Sequence, residues 1–335
     1  MSRYRLKKYF IGCLLLAVFV LLAACGNNAN STAPDPPPAP THAADSGKAS
    51  NEPAEATEED TITYTAANGE VVVPKNPQRI VVDSKVYVGY FLALGIKPAG
   101  VPEEALHVPY FEGQLDGVES IGDMDSSLEQ ITALDPDLII TITRSKNIEN
   151  FEKIAPTIAI EYGTKDYREQ LLDFGKITGK EAEAQAWIDS WDAKIAEHKP
   201  MIEEAVGDGT VSILQPHAKG IYAFGHNYGR GGEILYGEFK LKAPEVIQQE
   251  AIDSGAGYAN ISLEKLPEFA GDIIFTSPWT GDEANPDYVY ESTLWKSLPA
   301  VKNGKVYNLD SKYSNYSDPV SLEAHLDFIV KSLTP

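Results

Sequence analysis

The chain has 335 residues, 49 acidic against 28 basic side chains, and a formal charge of −21. That balance excludes a general nucleic-acid binder, whose phosphate contacts need clustered Lys and Arg. With two cysteines in all, Cys13 and Cys25, both near the N-terminus, the folded part has no disulfide framework and no thiolate metal site. Its stability must come from apolar cores, and this length is ample to build them.

The chain opens with Arg3, Arg5, Lys7 and Lys8, followed by an almost unbroken apolar stretch from Tyr9 to Ala24. The stretch is shorter than the ~20 residues a spanning helix needs and has the length of a signal-peptide core. It ends in Leu22-Ala23-Ala24-Cys25-Gly26, small residues placed just before a cysteine. This resembles the bacterial lipobox, in which cleavage leaves the cysteine as a new, acylated N-terminus. Residues 1–24 are therefore expected to be a lipoprotein signal peptide and Cys25 the lipid anchor. Residues 25–60 are rich in Asn, Ser, Pro, Ala, Asp and Glu and include Pro36-Pro37-Pro38. They show no apolar periodicity and read as a disordered tether.

Folded sequence is expected over 61–335. Thr61–Thr65 and Val71–Val73 flank Asn68-Gly69, a hairpin signal. Short apolar runs then recur at Ile80–Val82, Leu138–Ile142, Thr157–Ile160, Val211–Leu214, Ile221–Phe224, Ile273–Phe275 and Val306–Leu309. Helical patterns separate most of them, which predicts an α/β fold with mainly parallel sheets. From about Lys180 to Val206, Ala184, Trp187, Ile188, Trp191, Ile195 and Ile202 follow the stripe of one long amphipathic helix. At ~1.5 Å per residue it is long enough to span two small lobes.

Two blocks repeat on either side of this helix. Ser127-Leu128-Glu129-Gln130-Ile131 leads into Asp137-Leu138-Ile139-Ile140-Thr141, and Ser262-Leu263-Glu264-Lys265-Leu266 leads into Asp272-Ile273-Ile274-Phe275-Thr276 at the same spacing. Each reads as a capped turn of helix running into a buried strand. The pattern predicts two similar lobes, about 61–179 and 207–335, joined by the helix 180–206.

The lipobox, Pro77-Gln78-Arg79-Ile80-Val81-Val82, Leu134-Asp135-Pro136-Asp137-Leu138-Ile139-Ile140, Ile154-Ala155-Pro156-Thr157, the long helix and Asn227-Tyr228-Gly229-Arg230-Gly231-Gly232-Glu233 occur in that order. As a set they resemble the iron-siderophore and vitamin B12 class of ABC-importer binding proteins, in particular ferric-hydroxamate-type lipoproteins of Gram-positive bacteria. The resemblance covers residues 70–335. It implies the class III periplasmic-binding-protein fold and a monomer without enzymatic activity. It further implies a ferric siderophore as transported ligand, no cofactor or protein-held metal, and a permease dimer with its ATPase as partner. Location on the outer face of the cytoplasmic membrane goes with it. In that class each lobe docks to the permease through a glutamate of the repeated block, which carries over to Glu129 and Glu264.

The Gly-rich segment supplies ligand candidates on its own chemistry. Arg230 offers a planar fork of donors to anionic oxygens, and Tyr228 a ring and a hydroxyl. A phosphate loop is excluded, since no Lys-Ser or Lys-Thr follows the glycines. His226 lies in the same motif. The resemblance adds Tyr316, and Tyr313 second, before Asp318-Pro319. Positions after strand ends nominate Tyr87 and Arg144, with Lys85 behind. Few basic residues among these aromatic candidates favour hydroxamate or mixed siderophores over tri-catecholates. Haem or cobalamin binding stays open through Tyr87, Tyr313 and Tyr316. No G-x-S-x-G or H-E-x-x-H is present, and a surface enzyme using carboxylates alone stays open because Asp and Glu are abundant.

Overall fold

The structure is a computed structural model that describes residues 60–123, 126–280 and 286–334. The signal peptide, Cys25 and the tether up to residue 59 lie outside the described residues.

Strands β1 (Thr61–Ala66) and β2 (Gly69–Pro74) form an antiparallel hairpin. Its tip docks on the first lobe through Asn68, whose amide donates to the Thr157 carbonyl and accepts from the Ala159 N–H, both at 2.9 Å. The first sheet holds β3 (Ile80–Val82), β4 (Gly100–Val101), β5 (Glu119–Ser120), β6 (Leu138–Ile142) and β7 (Thr157–Ile160). Its order is β5-β4-β3-β6-β7 and every pairing is parallel. β3 is wholly buried, as a central parallel strand covered on both faces must be.

The second sheet holds β8 (Val211–His217), β9 (Gly220–Phe224), β10 (Tyr258–Ile261), β11 (Ile273–Thr276) and β12 (Val306–Asn308), in the order β10-β9-β8-β11-β12. β8, β11 and β12 are parallel neighbours, while β9 runs antiparallel to both β8 and β10. The reversal follows from connection length. His217 pairs with Gly220 across a two-residue turn, which can join only antiparallel strands.

The repeated blocks occupy equivalent places. Asp137 and Asp272 each hold the chain entering the neighbouring parallel strand. The Asp137 carboxylate accepts from the N–H groups of Gln78 (2.6 Å) and Arg79 (2.9 Å), just before β3. Asp272 accepts from the N–H of Thr210 (2.8 Å), just before β8. The helical parts differ. Ser127 caps the continuous helix Leu128–Ala133, whereas the second block is a tight turn, Leu263–Lys265, followed by Leu266–Phe269. Pro267 explains the break, because it lacks the N–H a helix interior requires and is tolerated only at a helix start.

The joining helix runs Glu181–Val206 and buries Ala184, Ile188, Trp191, Ile195, Ile202 and Val206. Trp187 lies beside this stripe, half-buried, stacked on Trp191 at 5.4 Å and donating to Glu323 at 3.0 Å. Glu323 belongs to the C-terminal helix Pro319–Leu333, which packs on the joining helix and on Val88–Ala93 of the first lobe. The turn before the joining helix depends on Gly179. Its φ is +68°, and a Cβ there would sit 2.4 Å from Asn76 Oδ1. One apolar core runs through both lobes and this helical layer, with a separate cluster on the outer side of each sheet.

Candidate functional site

The second lobe builds one wall of the cleft. In the antiparallel ribbon, Gln215 stands opposite Tyr222, and Phe224 opposite Tyr258. Opposed and alternate residues share a face, so these four side chains point the same way. Trp279, held after β11 by its N–H bond to the Pro216 carbonyl (2.8 Å), joins them. The rings meet edge-on: Tyr222 with Tyr258 at 5.6 Å, Tyr222 with Trp279 at 5.7 Å, and Tyr228 with Tyr258 at 5.8 Å. With Phe224 and Arg230 they enclose about 230 Å³.

Arg230 is the centre of this wall and is only 6% exposed. Its Nε donates to Gln215 Oε1 at 2.9 Å and its Nη1 to the Tyr228 carbonyl at 2.6 Å. Its guanidinium lies 3.9 Å from the Phe224 ring centre. Nη2 makes no hydrogen bond among the described residues, and Arg230 lines both this hollow and the wider cavity beside it. Burial lowers its pKa to about 10, against the upward pull of Glu233, so it stays charged at neutral pH. A buried charge with spare donors is costly unless an anionic or carbonyl partner completes it.

The local backbone is shaped to this end. Arg230 adopts φ +60° and donates its N–H to the Ser314 carbonyl. A non-glycine residue there costs of order 1 kcal/mol, held by its surroundings. The neighbouring glycines are forced by close approach, since a Cβ on Gly232 would lie 2.1 Å from the Gly225 carbonyl oxygen. Beneath the turn, buried Glu233 accepts the Gly229 N–H at 2.8 Å. Its other carboxylate oxygen has no partner among the described residues, and burial raises its pKa to about 7.

The first lobe supplies the facing wall. Lys85 pairs with Glu104 at 2.6 Å, and its ammonium lies 5.9 Å from the Tyr316 ring centre. Glu103 accepts from His107, and Asp123 accepts the Glu104 N–H at 3.0 Å. With Gln215, Arg230, Trp279, Lys312 and Asn315 these residues line about 700 Å³. The shared Arg230 and Trp279 make the two hollows one cleft.

The structure brings Lys85, Tyr228 and Arg230 together. Tyr87 does not reach the cleft: it is 3% exposed, packed edge-on against Phe174 at 5.4 Å and Tyr90 at 6.1 Å. The reason is local, because the tight turn Lys85–Tyr87 runs straight into Val88–Ala93 and turns Lys85 outward and Tyr87 inward. Tyr316 is wholly buried, edge-on to Phe111 at 6.3 Å, with a hydroxyl that has no partner among the described residues and whose pKa burial raises. It supports the cleft from below; Tyr313 is half-buried beside it. Arg144 is exposed and is not among the residues lining the cleft. His226 faces a different cavity of about 720 Å³, lined from the joining-helix side by Tyr167, Arg168 and Asp192. Arg168 is there paired with Glu238 (3.0 Å) and Asp192 (2.7 Å), which leaves little free charge for an anionic ligand. Glu129 and Glu264 are both exposed. Gln215, Tyr222, Phe224, Tyr258 and Trp279 escape sequence reasoning. The one signal available was the two-residue alternation of Tyr222 and Phe224 in a strand next to the Gly-rich turn.

Among the described residues no group of three or more His, Cys, Asp or Glu could hold a metal ion. The periplasmic binding protein family matches residues 80–313. The chain belongs to that family. Its members are substrate-binding proteins and not enzymes. The iron(3+)-hydroxamate-binding protein FhuD of Bacillus subtilis is 46% identical over 333 residues, covering 98% of each chain. A solved Bacillus subtilis structure is described as the periplasmic binding protein component of a Fep/Fec-like ferrichrome ABC transporter. It matches with a TM-score of 0.76 at 47% identity, over 81% of this chain and 99% of that one. FhuD2 of Staphylococcus aureus with bound ferrioxamine B matches with a TM-score of 0.69 at 32% identity, over 77% and 98%. The fold is thus the two-lobed class III arrangement of these binding proteins.

Proposed function

We propose that this chain captures a ferric hydroxamate siderophore outside the cell and delivers it to an ABC importer permease. The observation that carries this reading is Arg230. Its guanidinium is desolvated, charged, tethered on two sides and open on the third toward a cleft walled by aromatic rings. A ferric hydroxamate complex presents oxygens around an iron whose coordination is already complete. It needs hydrogen-bond donors and flat apolar surface from a receptor, and the cleft offers both. The names of the relatives favour hydroxamates over haem or cobalamin. Tyr316, an axial-ligand candidate for haem, is buried beneath the cleft instead.

Delivery uses Glu129 and Glu264, one on each lobe, as charge-assisted contacts to the permease. Cys25 carries the lipid that keeps the protein on the outer face of the cytoplasmic membrane, and residues 25–60 supply reach. The ligand is tested by intrinsic-fluorescence titration with ferric hydroxamates, a ferric catecholate, haem and cobalamin. Quenching by a ferric hydroxamate at sub-micromolar concentration supports the reading. Quenching by haem or cobalamin alone overturns it.

A further inference from the structure

The cleft is polarised from end to end. The second-lobe end is aromatic, the middle is Arg230, and the first-lobe end carries Glu103, Glu104 and Asp123. The wider hollow balances these three carboxylates against Lys85, Arg230 and Lys312, so it has no net positive charge to offer. A trianionic complex would meet carboxylates wherever it left Arg230. The positive groups are also partly committed. Lys85 is paired with Glu104, and Lys312 is held in its charged form first by its side-chain hydrogen bond with Tyr313, with Glu104 and Asp123 adding to it. Glu103 and Asp123 have no Lys or Arg ion-pair partner among the described residues; Glu103 is held by the Ser120 hydroxyl and by His107. One further observation points to a donor on the ligand. Asn315 lines the same hollow, and its Oδ1 is buried and has no hydrogen-bond partner among the described residues.

Resting on the reading above, we infer that the first-lobe carboxylate rim recognises a free ammonium substituent on the ferric hydroxamate. The site thereby ranks its ligands by peripheral charge, cationic above neutral above anionic. The arrangement suits a linear trihydroxamate. Its iron-bound oxygens face Arg230, its methylene spacers lie along Tyr222, Tyr258 and Trp279, and its terminal amine reaches Glu103 and Asp123. Both carboxylates are exposed, so the contribution is modest and screened by salt. It sets preference within a ligand class that Arg230 and the rings define.

The test uses one iron core with three tails: ferrioxamine B, its N-acetyl derivative and its N-succinyl derivative, which differ only in a terminal charge of plus one, zero and minus one. Fluorescence titration of the full-length protein at low salt is expected to give affinities falling in that order. The spread should be about tenfold from first to last and should shrink to about twofold near 1 M NaCl, where the screening length is ~3 Å. The paired variant Glu103→Gln with Asp123→Asn should flatten the ranking at low salt. Asn keeps the oxygen that holds the Glu104 N–H, so the rim backbone has no reason to move. Equal affinities for the three complexes, or an undiminished spread in the paired variant, overturn the inference while leaving the ferric hydroxamate reading intact. If none of the three binds, that reading falls and this inference falls with it.

Discussion

The two lobes share an architecture and a repeated block, yet they present different chemistry to the cleft. The first lobe, whose five-stranded sheet is all parallel, ends each of those strands in a loop and offers solvent-accessible, exchangeable charges: Lys85, Glu103, Glu104 and Asp123. The second lobe has the antiparallel ribbon β8-β9-β10, and its wall is a rigid face of rings holding a buried arginine. The lesson is that loops at parallel strand ends tune a site, while a paired strand face defines it. Side chains on a ladder are fixed by register, and those on a loop are fixed only by their own contacts.

This contrast can be broken most sharply at the level of transport. A double Glu129→Ala, Glu264→Ala variant should abolish ferric-hydroxamate uptake in cells, while fluorescence titration of the purified protein shows ordinary binding. Normal uptake would remove both residues from the delivery step. Next comes the defining wall. Arg230→Ala should weaken ferric hydroxamate binding by about 10- to 100-fold, in keeping with the ~1.5–3 kcal/mol of a charged hydrogen bond. Unchanged affinity would mean the arginine is purely structural. Trp279→Ala should cost about tenfold through lost ring contact. On the tuning wall, Lys85→Met should change affinity by no more than about threefold, since the ammonium is half-exposed and already paired. A larger loss than that from Arg230→Ala would invert the comparison.

A separate expectation concerns stability against pH. Glu233 is pushed up to about 7 from an ordinary 4.5, so the folded state holds its proton more tightly than the unfolded chain. Its stability contribution is therefore full below about 4.5 and is lost as pH rises through 7. Buried His325, pushed down to about 4, acts in the opposite sense: folding disfavours its proton, so stability falls as pH drops from 6.5 toward 4. Glu233→Gln keeps an acceptor for the Gly229 N–H and removes the titration. Melting curves should show it more stable than the parent at pH 8, by roughly 1–3 kcal/mol, with the gap closing at pH 5. A gap that does not vary with pH would show that Glu233 ionises freely.

The strand runs, the long helix and the repeated blocks were legible along the chain, because each depends on local periodicity and on short capping patterns. Arg230 was legible too, since a charged residue between glycines announces a tight turn. The ring wall was not. Tyr222, Tyr258 and Trp279 lie far apart in sequence; the pairing of β9 with β8 and β10 sets the two tyrosines on one face, and the bond to Pro216 brings Trp279 beside them. Tyr87 was misplaced because a single tight turn decides which of Lys85 and Tyr87 points inward, and the cost of burying an ammonium settles it for the tyrosine.

Sequence alone thus determined the class of molecule: two α/β lobes, a connecting helix and an arginine on a Gly-rich turn. These follow from nearest-neighbour propensities and the spacing of apolar residues. The tertiary structure decided which side chains face one another across the cleft. It set Arg230 against Gln215 and Phe224, sent Tyr87 and Tyr316 into the core, and gathered three carboxylates opposite the rings. Those outcomes depend on register, burial and desolvation, which arise only when segments distant in the chain are packed together.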